Sequence, residues 1–537
     1  MTLEAPASQR PARLIPCILA LALAAGGPGL SARADDTPPG PTIEEMLRVS
    51  LERRAAAEAR VKGVLDEIFV TLENNQASSP VAVAARERLT GETFAIALPL
   101  LVQALESPNG HLARSCALRL RDAAAAAPGS LPKSAIQKLV EILKGPSARA
   151  KQEAFVVARV LRPDEIGPTI RELASASDDG ATRREAMDIL KNWRDPEGIA
   201  AFRAALGAKE EPATRRAGIE AIVAIGDRAS LPLVEPLVGD PSHDVRRAAF
   251  AALGALGNET VLPTLYAQLE EILRDPDMRT GGAVAGPLAN AALAAIGSIG
   301  SPSSLPALRA LQSSCPEPVQ VELRAACGKI LSRILAEKRS DALPEVRPFL
   351  DDAQPALRDL AFDIVGALAD KESIPILVKK LESQSPAILK KVAETLGLMG
   401  ERQIAFKLRP LLKNDSSEVQ IAAAIALGRL KDYSGEEILV KPLELRLREN
   451  KNDVSARLEL ARNYKLILKY KSAVSEYREA LKMRGSKDEA EIWLQIAACH
   501  ALDGKIEDGK KALDQAKSRG ADVGKALAER GELAPLR

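Results

Sequence analysis

The chain reads as an all-α protein: a right-handed α-solenoid of two-helix repeats, closed by a short stack of further helices. Three observations carry this reading. Hydrophobic residues make up 46% of the chain while aromatics make up only 3%, so the apolar surface is mainly Ala, Leu, Ile and Val, which suit close helix packing. At 537 residues the chain exceeds one ordinary core, which calls for several domains or an array that adds core as it lengthens. From about residue 80 onward, one pattern of small and apolar residues returns again and again.

The elements follow in order. Arg10 and Arg13, the apolar run from Leu14 to Ala25 and the small residues Ala32 and Ala34 read as a signal peptide over residues 1–34, with cleavage expected after Ala34. The run is short for a membrane span and is broken by Gly26, Gly27, Pro28 and Gly29, so no transmembrane segment is expected in the mature chain. The expectation is an exported protein, periplasmic or extracellular. Removing Arg10, Arg13, Arg33 and Glu4 leaves 71 basic and 71 acidic residues. A net charge near zero gives no field to attract nucleic acid or an anionic membrane. Residues 35–79 then read as a Pro-rich spacer and one long helix, from Thr42 to about Asn75, whose apolar residues fall mostly at three- and four-residue steps.

Residues 80–437 carry the repeats. Val245 is followed at +4 by Ala249, at +8 by Leu253, at +9 by Gly254 and at +12 by Gly257. This template recurs from Ala113, Ala150, Thr182, Thr214, Leu288, Val321, Leu357, Ile388 and Val419, at intervals of 31 to 43 residues. Gly226, Gly257, Gly297, Gly300, Gly366, Gly397, Gly400 and Gly428 are expected where these helices end. An apolar-Pro-x-apolar opening, as in Leu231-Pro232-Leu233-Val234 and Ile374-Pro375-Ile376-Leu377, marks the first helix of a unit, because proline is tolerated in a first turn. Each unit is thus two helices, and the small +4 residue lets neighbours approach.

These residues resemble the HEAT-repeat superfamily, and the Val-Arg-x-x-Ala-x-x-Ala-Leu-Gly pattern at 31-residue spacing is similar to the short repeats of phycobilisome lyases. The resemblance implies an α-solenoid used for binding, without carrying over the lyase activity. It also implies that Asp240 with Arg246, and Asp352 with Arg358, form a structural ladder between repeats.

The pattern changes over residues 438–537. Leu460, Ala461, Tyr464, Ala473, Tyr477 and Ala480 stand at the spacing of the tetratricopeptide family, and Trp493, Ile496, Ala497, His500, Gly509, Leu513 and Ala516 form a second copy. That copy departs from the family at His500, where Tyr is usual, and at Gly509, where Ala is usual. Residues 441 to 484 hold twelve Lys or Arg and six Asp or Glu, so Lys465, Lys469 and Lys471 are candidates for binding an acidic peptide. Arg274 and Arg279 are further candidates. They lie in the longest interval between anchors, from Val245 to Leu288, where 274–287 reads as a loop between the helices of one repeat.

Chemistry is sparse. The three histidines, His111, His243 and His500, are dispersed, and neither His nor Cys shows metal-ligand spacing. No Gly-rich phosphate loop stands between a strand and a helix. No catalytic, metal or cofactor-binding residue is nominated. Cys116, Cys327 and Cys499 sit in apolar helical patterns, and Cys315 with Cys327 is the one disulfide worth testing. The function expected is a non-catalytic exported scaffold or adaptor that takes protein or peptide partners along a helical groove. The alternative, an accessory or lyase-like protein acting on a cofactor or polysaccharide, needs clustered aromatics or Cys and His. Only Trp193 and Trp493 are available as tryptophans.

Overall fold

The computed structural model describes residues 62–537 apart from Pro128, Arg162, 280–282, 313–314 and 484–488. The expected signal peptide, spacer and start of the expected N-terminal helix fall on residues 1–61, outside the described residues. Every regular element among those described is helical. The chain divides into two compact units, residues 1–119 and 120–537.

In the first unit a helix over residues 62–74 ends at Asn75, where the sequence places its end. Leu65, Ile68 and Leu72 on this helix are buried, as are Ala82, Ala85, Leu89, Ala97 and Leu101 on the segments that follow. Ser79 starts the helix Pro80–Glu87 by accepting the Ala82 N–H, with Pro80 in the first turn.

The second unit is an α-solenoid. Its second helices, including Gly180–Trp193, Pro212–Ile225, His243–Leu256, Ala285–Ile299, Glu317–Glu337, Pro355–Ala367, Pro386–Met399 and Ser417–Arg429, pack each on the next in sequence. Several of the first helices are broken. Arg228–Ser230 is a 3-10 turn, Leu231–Val234 is α-helical, and Glu235–Gly239 is 3-10 again. A second proline, Pro236, stands at the start of that last segment, and Pro348 and Pro410 do the same in later repeats. Each lacks the N–H that would continue the α-helix, so the backbone tightens.

The repeat register holds with one slip. Val245, Ala249, Leu253, Leu288, Ala292 and Ile296 are all buried, but Val321 is 65% exposed. The true anchor is the fully buried Val319, which puts Leu323 at +4, Cys327 at +8 and Gly328 at +9. The step from there to Leu357 is a long one, because Glu317–Glu337 runs for 21 residues, about two turns beyond its neighbours.

Glycines do two jobs where the sequence suggests one. Gly226 and Gly400 end helices in the left-handed region, at φ 82° and 75°. The +9 glycines lie inside their helices. A Cβ on Gly254 would stand 2.8 Å from Ala295 Cα, and one on Gly297 or Gly397 would stand 2.7 Å from Cα of Ala326 or Ala426. Each marks the point where one second helix crosses the next, so Gly at +9 meets Ala at +7 across the interface.

Polar rungs join successive repeats. Asp195, Asp227 and Asp432 each follow a second helix and accept a backbone N–H two positions on, from Glu197, Ala229 and Ser434. Their other oxygen accepts an arginine from the preceding repeat: Arg171 at 2.7 Å, Arg203 at 2.8 Å and Arg409 at 2.8 Å. Arg347 reaches both oxygens of Asp370 at 2.8 Å. Burial works against ionisation of Asp370, but hydrogen bonds from Arg347 and Ser373 and the Arg347 charge outweigh it and hold the carboxyl below its usual range. The expected pairing of Asp240 with Arg246 is different. Asp240 takes two 2.8 Å bonds from Arg215 of the preceding repeat, while Arg246 donates to the Val238 carbonyl. Arg358 likewise donates to the main-chain oxygen of Asp352 rather than to its carboxylate.

The core does not break at residues 437 and 438. Ala424, Leu439, Val440, Leu443, Ala456, Leu460 and Ile467 form one buried cluster, and Gly428 packs directly on Ile467. Beyond it stand two helical hairpins, Val454–Leu466 with Tyr470–Leu481 and Glu489–Leu502 with Ile506–Ser518, followed by Val523–Glu529 and the 3-10 turn Gly531–Leu536.

The packing predicts opposite effects at two glycines. A Cβ at Gly328 would meet nothing nearer than Leu357 Cδ2 at 3.7 Å, so Gly328→Ala should stabilise by about 0.5–1 kcal/mol through helix propensity. Gly397→Ala should instead destabilise by about 1–3 kcal/mol through overpacking on Ala426. Urea denaturation of the two variants checks the sign of each. Asp370→Asn should cost about 1.5–3 kcal/mol at neutral pH, the scale of a hydrogen bond to a charged group. Because the folded carboxyl is held low, its contribution is present above the unfolded value near ~4 and is lost as pH falls through the folded value. The gap between the urea midpoints of wild type and variant should therefore begin to narrow below about pH 4 and go on narrowing towards the lower folded value; a gap that persists unchanged to about pH 3 would show that the rung is not ionic.

Candidate partner-binding surface

With the glycine at +9 and the alanine at +7 turned into the helix crossings, positions +2 and +6 of each second helix face outward. At the start of the series these positions are charged and pair with one another or with charged residues flanking them. Lys191 bridges Asp188 at 2.7 Å and Glu220 at 3.8 Å, Arg216 reaches Glu220 at 3.5 Å and Asp244 at 4.0 Å, and Arg247 reaches Asp244 at 2.6 Å. Further along, Lys391 pairs with Asp363 at 2.6 Å and Lys390 with Glu418 at 2.8 Å. Such exposed pairs each contribute little stability.

Between these stretches the charge disappears. Ala285–Ile299 contains no charged residue. Ala251 and Ala255 are exposed on the helix before it, Pro287 is exposed and Ala291 and Ala294 are half-buried on it, and Ala325 is half-buried on the helix after it. Val284, at 45% exposed, and Val321 border the same stretch. These positions of three adjacent helices therefore present an apolar window of short side chains beside charge-paired stretches.

The inserted segment lies beside this window. The helix Leu262–Leu273 is followed by the 3-10 turn Pro276–Arg279, and the next helix begins at Ala285, so Gly286 and Pro287 belong to its first turn rather than to the loop. Asp277 accepts the N–H groups of Ala285 at 2.8 Å and Val284 at 2.9 Å, and these bonds hold its carboxyl below the usual range. The insertion thus caps the window's central helix. Arg274 is 77% exposed and pairs with Glu270 at 2.9 Å, while Arg279 closes the 3-10 turn.

The lysines nominated from charge counting do not form an open patch. Lys465 is only 17% exposed and contacts Glu532 at 2.7 Å and Gln495 at 2.8 Å. Lys469 pairs with Glu436 and lies 4.1 Å over the Tyr433 ring. Lys471 is exposed. The partners Glu436 and Glu532 lie outside the stretch in which the positive excess was counted.

The four described cysteines are free and buried, so Cys315 and Cys327 are not bridged. Burial pushes the Cys116 and Cys327 thiols up to about 12, which keeps them protonated and unreactive. His500 is buried, and burial lowers its imidazole below the ordinary value. Among the described residues no three His, Cys, Asp or Glu side chains gather as metal ligands. None of their helices is long and apolar enough to cross a membrane.

A family model described as HEAT repeats matches residues 167–251, 209–286 and 374–461. The chain therefore carries HEAT repeats, and the last match runs through the continuous core at residue 438. No curated protein matches the sequence. Among solved structures, the chain is similar to Kap121p bound to Nup53p, with 15% identity, a TM-score of 0.46 and coverage of 89% of this chain and 56% of that one. Kap121p alone gives 15% identity, a TM-score of 0.47 and the same coverage, and the karyopherin Kap121p bound to the extreme C-terminus of the protein phosphatase Cdc14p gives 15%, 0.45 and again 89% and 56%. The chain spans just over half the length of these proteins.

The insertion's role yields a direct test. Asp277→Ala should speed amide exchange at Val284 and Ala285 and lower the melting temperature, and deleting 275–283 should do the same, since both remove the cap. Unchanged exchange at these two amides would mean that the segment is a free loop.

Proposed function

We propose that this protein is a non-catalytic scaffold or adaptor that binds protein partners on the outward face of its second helices, with the window around Ala285–Ile299 as the principal site. The observation that carries the reading is the set of small or apolar side chains at outward positions of three adjacent helices, Ala251 and Ala255, Ala291 and Ala294, and Val321 and Ala325, around a central helix that has no charged residue. Exposed paired charges offer a partner little net energy, because contact must strip water from groups already satisfied. Apolar surface gains about 25 cal/mol for each Å² removed from water. Short side chains also leave the helix backbones close to the surface, so a partner segment can lie flat against them. The signal peptide read in residues 1–34 would place this scaffold outside the cytoplasm, and the tetratricopeptide-like spacing of the two C-terminal hairpins fits the same use.

The test starts from partners captured from the cell envelope by the mature protein and then measures binding with purified components. Ala294→Arg combined with Val321→Asp puts charge into the window at exposed or half-buried positions, so the fold should survive by circular dichroism. Affinity for a window-bound partner should fall about tenfold or more, the scale of an interface residue worth over ~1 kcal/mol. Arg216→Ala, on the paired stretch, should change it by less than about threefold. Equal affinity of the window variant and wild type for every captured partner would refute the reading.

A further inference from the structure

The C-terminal hairpins contain a second surface, and the chain itself covers it. Helices Val454–Leu466 and Glu489–Leu502 contribute Lys465, Glu491 and Gln495, which form one connected network. Lys465 donates to Gln495 Oε1 at 2.8 Å, and Gln495 Nε2 donates to Glu491 Oε1 at 2.8 Å. The segment after the last α-helix plugs into both ends of this network. Arg530 makes two parallel 2.8 Å bonds to the Glu491 carboxylate, and Glu532 pairs with Lys465 at 2.7 Å. Five side chains thus form one polar circuit, running from Arg530 through Glu491, Gln495 and Lys465 to Glu532, whose two ends come from residues 530–532.

Apolar contacts complete the seat. Leu533 and Leu536, three apart in the 3-10 turn Gly531–Leu536, lie on one side and are buried in the same cluster as Tyr477, Ala497, Leu513 and Ala516. A Cβ on Gly509 would come within 2.7 Å of Leu536 Cδ2, so glycine leaves the space that Leu536 fills. This is one of the two positions at which the second copy departs from the tetratricopeptide pattern, and the departure has a physical use here.

The segment buries the surface without satisfying it. Tyr477 is 1% exposed, yet its hydroxyl has no hydrogen-bond partner, and the Trp493 Nε1–H is likewise buried and unpartnered. After burial and Cys499, the charges that bear on the Tyr477 hydroxyl are those of Arg462, Glu532 and Glu491, two of them members of the circuit. A buried polar group without a partner costs free energy. The segment also joins the preceding helix through Arg530 in an extended conformation, at φ −102° and ψ 105°, so it can leave without unwinding an α-helix.

We propose that residues 531–536 act as an intramolecular ligand of a peptide-binding surface, and that a partner segment of the same chemistry, an acid followed by two leucines three apart, displaces them. The surface lies apart from the window, so this inference stands or falls separately from the scaffold reading. Its occupant is selected by charge at Lys465 and by the apolar seat at Gly509.

The test uses the full chain and a fluorescent peptide of residues 526–537 as the probe. Wild type should bind the peptide weakly, because its own segment competes. Opening the surface with Glu532→Lys and Leu533→Asp should tighten binding about tenfold, as for a segment closed about nine-tenths of the time. In the opened chain, Lys465→Glu should abolish the gain, and a peptide carrying lysine in place of Glu532 should restore it. Glu532→Ala, which keeps both leucines, should show a smaller gain with the helical signal intact. Absence of any gain in both Glu532 variants would overturn the proposal, as would melting of the hairpins together with no gain in Glu532→Ala, since the segment would then be a fixed structural cap only.

Discussion

The second unit depends on how closely one second helix crosses the next. Neighbouring α-helices usually pack with their axes about 8–10 Å apart, as their side chains allow. Glycine at +9 against alanine at +7 brings the backbones so close that a Cβ on the glycine would overlap the neighbouring Cα, as at Gly254 with Ala295 and Gly397 with Ala426. Two consequences follow from this approach. The turns between repeats come near enough for an arginine of one repeat to reach the aspartate of the next, as Arg203 reaches Asp227 and Arg215 reaches Asp240. With +7 and +9 committed to the crossing, the positions left facing outward are set as well, so the packing register also determines the composition of the surface.

This coupling explains what the sequence reveals and where it misleads. The fold was legible because the repeat constrains every unit alike: Ala249, Leu253, Ala292 and Ile296 are buried as the template requires. The slip at Val321 has a simple cause. Val319 and Val321 are both valine, and the small residue expected at +4 is present from Val321, as Ala325, but not from Val319, where Leu323 stands. Cys327 at +8 and Gly328 at +9 point to Val319, and the weight of Gly328 depends on knowing that +9 is a crossing point rather than a helix end. The inter-repeat rungs were missed for a related reason. An arginine far upstream of an aspartate, as Arg347 is of Asp370, carries no signal in one sequence until the turn that brings them together has been placed.

The candidate sites were less legible than the fold. Counting charge over residues 441–484 assumes that neutralising partners lie nearby in sequence, but Lys469 finds Glu436 and Lys465 finds Glu532. A solenoid folds distant segments onto one face, so local charge balance is a poor guide to local potential. The window around Ala285–Ile299 was hidden in the opposite way. Its alanines and glycines read as core, and many are, since Ala289, Ala292 and Ala295 are buried while Ala291 and Ala294 on the same helix are not. A helix that is small and apolar all round does not show in its sequence which side it leaves open.

Charge is used differently on the two kinds of surface, and the difference bears on recognition. The rungs at Asp227, Asp240 and Asp370 are buried or nearly so and combine an ion pair with backbone hydrogen bonds, which ties each turn to one geometry. The ribbon from Lys191 to Arg247 is exposed, and its members are already paired with one another. In neither place is charge held in reserve for a partner, and the overall formal charge of +2 leaves little long-range field. What remains available is apolar surface, at the window and beneath the segment carrying Leu533 and Leu536. Recognition at the window should therefore rest on shape and burial, with charge serving mainly to exclude partners that place an unpaired ion against an already satisfied ribbon, whereas the C-terminal surface adds the charge of Lys465 to its apolar seat.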